Sequence, residues 1–323
     1  MKGFQGVPCN ATLDVVFWVI NSVIAVLMLA GNSLSCAVFL KTRHLRRSFM
    51  NIYLVSLAIS DISMGLFVVP FYSVFCSGCK YSLTKYCWAI RFLKGFAFGA
   101  NIFNLLAISL DRHEAFINPL RYTSKMTRKK LVFILAMVWG APVLLAGTRN
   151  FWQHSSSREK ALFIDKTYSI ILTFIFVIIP FFLLLGINFR ILIVIKKQVQ
   201  RIHVANAVQN FPSNLSTKRS RAVNNVRKLK GTLACVVVVL IYVLCWLPRI
   251  FYNFCFLFRR KDLVSPLLIH LSLFFLFLQS SLNPFIYSFY RVEFRQAASR
   301  LLRCRPYSTV EIITSSRNAH TID

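Results

Sequence analysis

The sequence predicts an all-α membrane protein: a seven-transmembrane helix bundle with a short amphipathic helix after the seventh span. Three observations predict it. Apolar stretches long enough to cross a hydrocarbon core occur seven times along the 323 residues. The chain is 56% hydrophobic with a mean hydropathy of +0.59, more apolar surface than a soluble domain of this length can hide. The net charge of +29 comes from cations gathered between the apolar stretches rather than along one periodic face, which fits membrane-flanking loops and not a nucleic-acid surface.

The stretches run at about 14–40, 51–75, 86–110, 131–148, 168–195, 231–258 and 264–290. Residues 1–13 form an N-terminal segment, 14–290 the bundle, 291–304 the amphipathic helix and 305–323 a tail. No short apolar stretch with a small-residue cleavage site opens the chain, so the first span is expected to act as its own targeting signal. No internal repeat is visible, which weighs against a transporter built from duplicated halves.

Orientation follows from the loops. Lys41, Arg43, Arg46 and Arg47 separate the first two spans, and Arg112, Arg121, Lys125, Arg128, Lys129 and Lys130 follow the third. The stretch from Arg190 to Lys230 is the most basic, whereas the alternate loops hold Glu159, Asp165 and Asp262. Positive-inside bias puts the basic set in the cytosol and the N-terminus outside. Asn10-Ala11-Thr12 is then an accessible glycosylation sequon at Asn10. Cys36, Cys235, Cys245 and Cys255 fall within apolar stretches as small hydrophobes, while Cys9, Cys76, Cys79 and Cys87 fall on the outer side, where oxidation is possible.

The third span joins two charged ends. Lys94 to Arg112 covers 18 residues, about 27 Å at helical rise. Lys94, Phe98, Asn101, Leu105, Ile108 and Arg112 share one face of it, and Arg91 lies three residues before Lys94. Polar residues inside spans are costly, so each marks a site. Asn32, Asp61, Asn101, Gln279, Ser280 and Asn283 are such residues. The Asp61 carboxyl must be neutral and hydrogen-bonded between helices, or ionised with amide partners and a cation such as sodium. Pro180, Pro248 and Pro284 interrupt the fifth, sixth and seventh spans and predict kinks. After Tyr290, Phe294, Ala297, Ala298, Leu301 and Leu302 form an apolar stripe flanked by Arg295, Arg300 and Arg303, an amphipathic helix on the inner leaflet with Cys304 placed for palmitoylation.

These residues carry a family resemblance over nearly the whole chain. Gly31-Asn32, "LAISD" ending at Asp61, Cys87, "DRH" at 111–113, "INPLRY" at 117–122, Trp139, Pro180, "CWLP" at 245–248 and "NPFIY" at 283–287 stand in order on seven spans. The chain resembles the rhodopsin-like (class A) G-protein-coupled receptors. The resemblance implies a plasma-membrane receptor without enzymatic chemistry or an organic cofactor. Its partners would be an extracellular small molecule or peptide, a heterotrimeric G protein, arrestin, a receptor kinase and membrane lipids, with no nucleic acid. It implies that Arg112 meets the G protein and that Asp111 holds it at rest. Tyr242, Trp246, Pro248, Asn283, Pro284 and Tyr287 would carry the movement of the sixth and seventh spans. Asn32, Asp61, Asn101 and Ser280, with Asn283, would form a sodium-linked polar core.

The departures from the pattern are specific. His113 and Asn188 replace usual tyrosines, Tyr242 replaces a usual Phe, and residues 149–168 hold no cysteine to pair with Cys87. Cys79 is the first alternative partner for Cys87, with Cys76 and Cys9 also open. Lys94 stands where amine receptors of the family carry an Asp, and Phe277 where light-sensing relatives carry a Lys. With no other acid expected in the outer half of the bundle, Lys94, Arg91 and Arg249 predict a pocket for an anionic group, lined by Phe98, Trp246, Phe251, Tyr252 and Phe277. The competing expectation is that Arg91 and Arg249 reach the headgroups and Lys94 alone faces the cavity. A decoy receptor with weak G-protein coupling, which Asn188 and Tyr242 would permit, is the alternative function.

Overall fold

A computed structural model describes residues 10–71, 87–148, 151, 158–208, 215–258 and 260–302. Seven helices are long and apolar enough to span a membrane: Ala11–Lys41, Phe49–Phe71, Phe92–Ile117, Arg128–Gly147, Thr167–Lys197, Thr232–Cys255 and Pro266–Tyr290. No strand occurs among the described residues. The seven apolar stretches thus become seven helices, because a helix satisfies every backbone group internally where no water is present.

Local signals set the ends. Asn10, the sequon residue, caps the first span by accepting from the backbone N–H groups of Thr12 at 3.0 Å and Leu13 at 3.2 Å. The helix therefore begins at Ala11 and includes Asp14 in its first turn. Thr127 caps the fourth span and Ser265 the seventh, where Pro266 fills the first helical position. The third helix runs Cys87–Ile117, and the helix of the sixth span runs Leu215–Leu257, longer than its apolar part Thr232–Cys255.

Two wide π-helical turns, Met64–Val68 and Phe174–Ile178, interrupt the second and fifth spans. The second of these ends just before Pro180, whose missing N–H and ring bulk an α-helical ladder could not absorb without adjustment. Pro142 lies inside the fourth span as a further helix interruption. The amphipathic helix runs Val292–Leu301, with Phe294 and Ala297 buried against the bundle and Leu302 exposed beyond its end.

The core sits along the second, third, sixth and seventh spans, with Tyr53, Leu54, Leu57, Leu105, Val239 and Tyr242 among its most buried side chains. The sixth packs most extensively on the seventh, and the first on the seventh. On the periphery, Val132, Phe133 and Leu144 of the fourth span and Phe182 and Phe189 of the fifth are exposed, as helices facing lipid require. Two glycines make close approaches possible. A Cβ at Gly31 would lie 2.9 Å from Pro284 Cγ, and one at Gly99 would lie 2.7 Å from Phe176 and 2.9 Å from Pro142.

The Gly31 contact gives a test of the fold. Gly31→Val drives a branched side chain into the Pro284 ring, which cannot swing away, and should destabilise the bundle by about 1–3 kcal/mol. A lowered thermal unfolding temperature of purified receptor checks it; an unchanged temperature contradicts the contact.

Candidate functional site

The inward face of the third span organises the site. Phe98, Asn101, Leu105, Ile108 and Arg112 all lie on it, the middle three buried. Three layers are stacked along this face.

At the inner end, Asp111 is buried and takes three donors. Arg112 Nε donates to Asp111 Oδ2 at 3.0 Å, Arg112 Nη2 pairs with the same oxygen, and the Tyr122 hydroxyl donates to Asp111 Oδ1 at 2.7 Å. Tyr122 comes from the short inner helix Pro119–Lys125, so one carboxylate fastens that loop to the third span. Burial and the neighbouring Asp111 carboxylate push the Tyr122 phenol up, keeping it a donor at physiological pH. A charge-assisted cluster of this kind holds Arg112 against its own helix.

The middle layer centres on Asp61, fully buried in the second span. Asn101 Nδ2 donates to Asp61 Oδ1 at 2.6 Å and Asn283 Nδ2 to Asp61 Oδ2 at 2.7 Å. Gln279 Nε2 donates to Asn101 Oδ1 at 3.2 Å and to Ser280 Oγ at 2.8 Å. Asn32 Nδ2 donates to the Ser280 carbonyl at 3.1 Å, bringing in the first span. The structure thus brings together Asn32, Asp61, Asn101, Gln279, Ser280 and Asn283 in one network across four spans.

The outer layer begins with aromatic packing. Phe98 meets Trp246 edge-on at 5.9 Å and stacks on Phe277 at 6.4 Å; Trp246 lies over Tyr242 at 5.3 Å. Lys94 is half-buried one turn outward from Phe98. Arg249 does not reach out alone: its guanidinium lies over the Tyr252 ring, 4.6 Å from the centroid. Phe251, expected to line the pocket, is instead half exposed on the outside of the bundle, because it falls on the opposite face of the sixth span from Trp246. The side chains of Arg91 and Cys87, and all of Cys79, Cys76, Cys9 and Cys304, lie outside the described residues.

One sequence expectation is corrected. The outer half of the bundle does contain an acid: Asp14, in the first turn of the first span, whose Oδ1 lies 2.9 Å from His270 Nε2 on the seventh. The apolar pattern placed the helix start at residue 14, which put this carboxylate at the boundary; the Asn10 cap moves it one turn inside.

Sequence reasoning missed two further links. Arg291, buried between the seventh span and the amphipathic helix, donates from Nη1 to Asn51 Oδ1 at 2.7 Å and lies 5.5 Å from the centre of the Phe39 ring. Asn51 in turn donates to the Leu45 carbonyl at 2.9 Å, so one side chain joins the first inner loop to the last helix. Trp139 Nε1 donates to Ser56 Oγ at 3.0 Å, tying the fourth span to the second. An Arg directly after an aromatic-rich span was the available signal for the first link.

The departures have defined surroundings. Asn188 is buried and donates to Ser109 Oγ at 3.2 Å and to the Leu184 carbonyl at 2.8 Å, clasping the fifth span to the third. The Tyr242 ring is fully buried beneath Trp246, and Tyr287 packs edge-on against Phe39 at 6.0 Å and Phe294 at 6.1 Å. Pro248 and Pro284 lie inside the sixth and seventh helices as expected from the sequence.

Seven spans around a polar core, with a clasped Asp-Arg pair at one end and an aromatic cluster towards the other, define a heptahelical membrane receptor. The sequence pattern of the 7-transmembrane receptor (rhodopsin family) matches residues 31–287. The chain belongs to that family. Among curated relatives, a D(5)-like dopamine receptor of Takifugu rubripes is 29% identical over 86% of this chain and 65% of its own length. A D(1C) dopamine receptor of Xenopus laevis is 28% identical over 86% and 66%, and the histamine H2 receptor of Homo sapiens 27% identical over 97% and 83%. The chain therefore spans just under two thirds of the length of these two dopamine receptors. These relatives are receptors and not enzymes, and this chain is read in the same way.

The Asn51 link yields a prediction. Asn51→Ala leaves the buried Arg291 guanidinium and the Leu45 carbonyl short of a partner, at a cost of about 1–3 kcal/mol. Thermal unfolding should show the loss, whereas Arg295→Ala at an exposed position should leave the unfolding temperature unchanged.

Proposed function

We propose that this receptor converts binding of an extracellular ligand carrying an anionic group into activation of a heterotrimeric G protein from the plasma membrane, with its N-terminus outside. The observation that carries the reading is the charge at the two ends of one inward face: Lys94 outside and Arg112 inside, joined through Phe98, Asn101 and Ile108. The relatives are named for dopamine and histamine, both amines. Lys94 on this face favours a carboxylate, phosphate or sulfate over an amine, since its ammonium repels a ligand cation and the outer carboxylate, Asp14, is engaged with His270. Arg249 stacked on Tyr252 supplies a second cation on the sixth span, and Phe98 and Trp246 supply apolar area for the rest of the ligand.

Ligand-driven displacement of Trp246 would pass to the Tyr242 layer and so to the inner half of the sixth span, exposing Arg112 to the G protein by population shift. Arrestin, a receptor kinase acting on the Ser- and Thr-containing tail, and inner-leaflet lipid along Val292–Leu301 complete the proposed partners. Sodium fits the middle layer in its donor chemistry: Asp61 and Ser280 offer the hard oxygens that a small cation prefers, and both lie in one network with Asn101 and Asn283. Bound there, the ion would supply a positive charge to the carboxylate and oppose rearrangement of the seventh span.

A second reading rests on Asn188. Its bond to Ser109 holds the fifth span to the third at the inner end, which favours a receptor that binds ligand but couples weakly. Nucleotide exchange on a panel of G proteins separates the two, since the decoy reading expects none with any ligand.

Two outcomes follow for the principal reading. In a screen of anionic metabolites, lipids and acidic peptides, Lys94→Ala should weaken the best ligand by more than about tenfold, or about 1.4 kcal/mol; unchanged affinity would move the site elsewhere. Arg112→Ala should abolish ligand-driven exchange while leaving ligand binding within about threefold, and retained exchange would refute the inner mechanism.

A further inference from the structure

One buried side chain joins the first inner loop to the last helix. Arg291 donates from Nη1 to Asn51 Oδ1 at 2.7 Å, and Asn51 Nδ2 donates to the Leu45 carbonyl at 2.9 Å. Leu45 belongs to the short helix Arg43–Arg46 of that loop, and Arg291 immediately precedes the amphipathic helix Val292–Leu301. Leu45 and Phe294 are both 1% exposed and share one buried cluster with Phe39 of the first span. Loop and helix are therefore fixed to one another and to the first span.

Their depth is fixed as well. Residues 42–48 are held between Lys41, which ends the first span, and Phe49, which begins the second; the amphipathic helix starts directly after Tyr290 of the seventh. Both segments stand where hydrocarbon gives way to headgroups, on the side that the basic loops assign to the cytosol.

What they present there is arginine. Arg43, Arg46 and Arg47 of the loop and Arg295 and Arg300 of the helix are exposed. Among the described residues, none of these five pairs with a carboxylate. Phe294 and Ala297 are buried in the bundle and not in lipid, so the helix turns Arg295, Gln296 and Arg300 outward. Between Thr42 and Ser48, and from Arg291 to Leu302, arginine is used to the exclusion of lysine, whereas the loop after the third span mixes in Lys125, Lys129 and Lys130. Positive-inside bias asks only for charge, which lysine supplies equally. A planar guanidinium adds a two-pronged fit to phosphate oxygens that an ammonium lacks.

We propose that the first inner loop and the amphipathic helix form one docking surface for an inner-leaflet lipid whose headgroup carries more than one phosphate. Such a headgroup offers paired oxygens to several arginines at once, which a lone phosphodiester or carboxylate cannot do. Because the surface is built on the first span and on the end of the seventh, a bound headgroup braces these two spans at their inner ends. The proposal rests on the reading of inner-leaflet lipid as a partner of Val292–Leu301, and it names that lipid's headgroup chemistry.

The test is thermal unfolding of the full-length receptor in nanodiscs of phosphatidylcholine alone, with phosphatidylserine, or with phosphatidylinositol bisphosphate at the same total lipid charge. Relative to neutral discs, the bisphosphate should raise the unfolding temperature by at least about twice the gain given by phosphatidylserine, since a ligand of the native fold stabilises it. Arg46→Lys combined with Arg300→Lys keeps the charge and removes two forks. That variant should lose most of the excess while keeping the phosphatidylserine gain. Both positions are exposed, so it should match wild type in neutral discs. Lys129→Gln with Lys130→Gln, exposed on the second inner loop, should keep the excess. Equal gains from the two lipids, an excess that survives the arginine changes, or one lost equally with the lysine changes would overturn the proposal and leave the broader lipid reading standing. No gain with either anionic lipid would overturn both.

Discussion

A single carboxylate, Asp61, sets the terms for the rest of the bundle. It has no exposure to solvent, and a bare charge in such a place would cost far more than the fold could bear. It is tolerated because amides from the third and seventh spans close on its two oxygens, and because Gln279 and Asn32 extend the network to Ser280 and the first span. Four helices are thereby held in one register at mid-membrane. Apolar packing alone is a weak guide to register in lipid, where the solvent is as apolar as the side chains.

The same constraint orders the function. Asn101 lies on the face of the third span that also carries Phe98 outward and Arg112 inward, so the polar core sits between the aromatic cluster and the Asp111 clasp. Asn283 precedes Pro284, whose ring fits against Gly31, and Tyr287 lies one turn further in, packed on Phe39. A change of partner at Asp61 therefore has neighbours on both sides whose positions depend on it. Asp14 and His270 tie the first span to the seventh at one end, and at the other Arg291, just past the seventh span, bonds Asn51 of the second and lies over Phe39 of the first.

Much of this was legible in the sequence, and the reasons are physical. Long apolar runs with basic loops read as spans, because hydrocarbon thickness sets the length and charge sets the sides. Asp61, Asn101 and Asn283 stood out because a polar residue inside an apolar run costs too much to be incidental. What stayed hidden depended on three-dimensional neighbours. The π-helical turns at Met64–Val68 and Phe174–Ile178 leave no mark in a hydrophobic period. The Arg291–Asn51 bond joins the end of the seventh span to the second span, a pairing 240 residues apart that no local pattern shows. Asp14 read as a boundary residue because the helix start was inferred from apolarity and not from the Asn10 cap. Phe251 was assigned to the pocket by composition, although its place on the helix turns it outward.

The central claim is that the Asp61 network works as one coupled unit, and a double-mutant cycle tests it most directly. Asp61→Asn, Asn101→Ala and the double variant would be compared by thermal unfolding of purified receptor. The coupling energy between the two positions should be about 1–3 kcal/mol, far from additive, because each single change strands the partner left behind. Additivity to within about 0.5 kcal/mol would contradict the account.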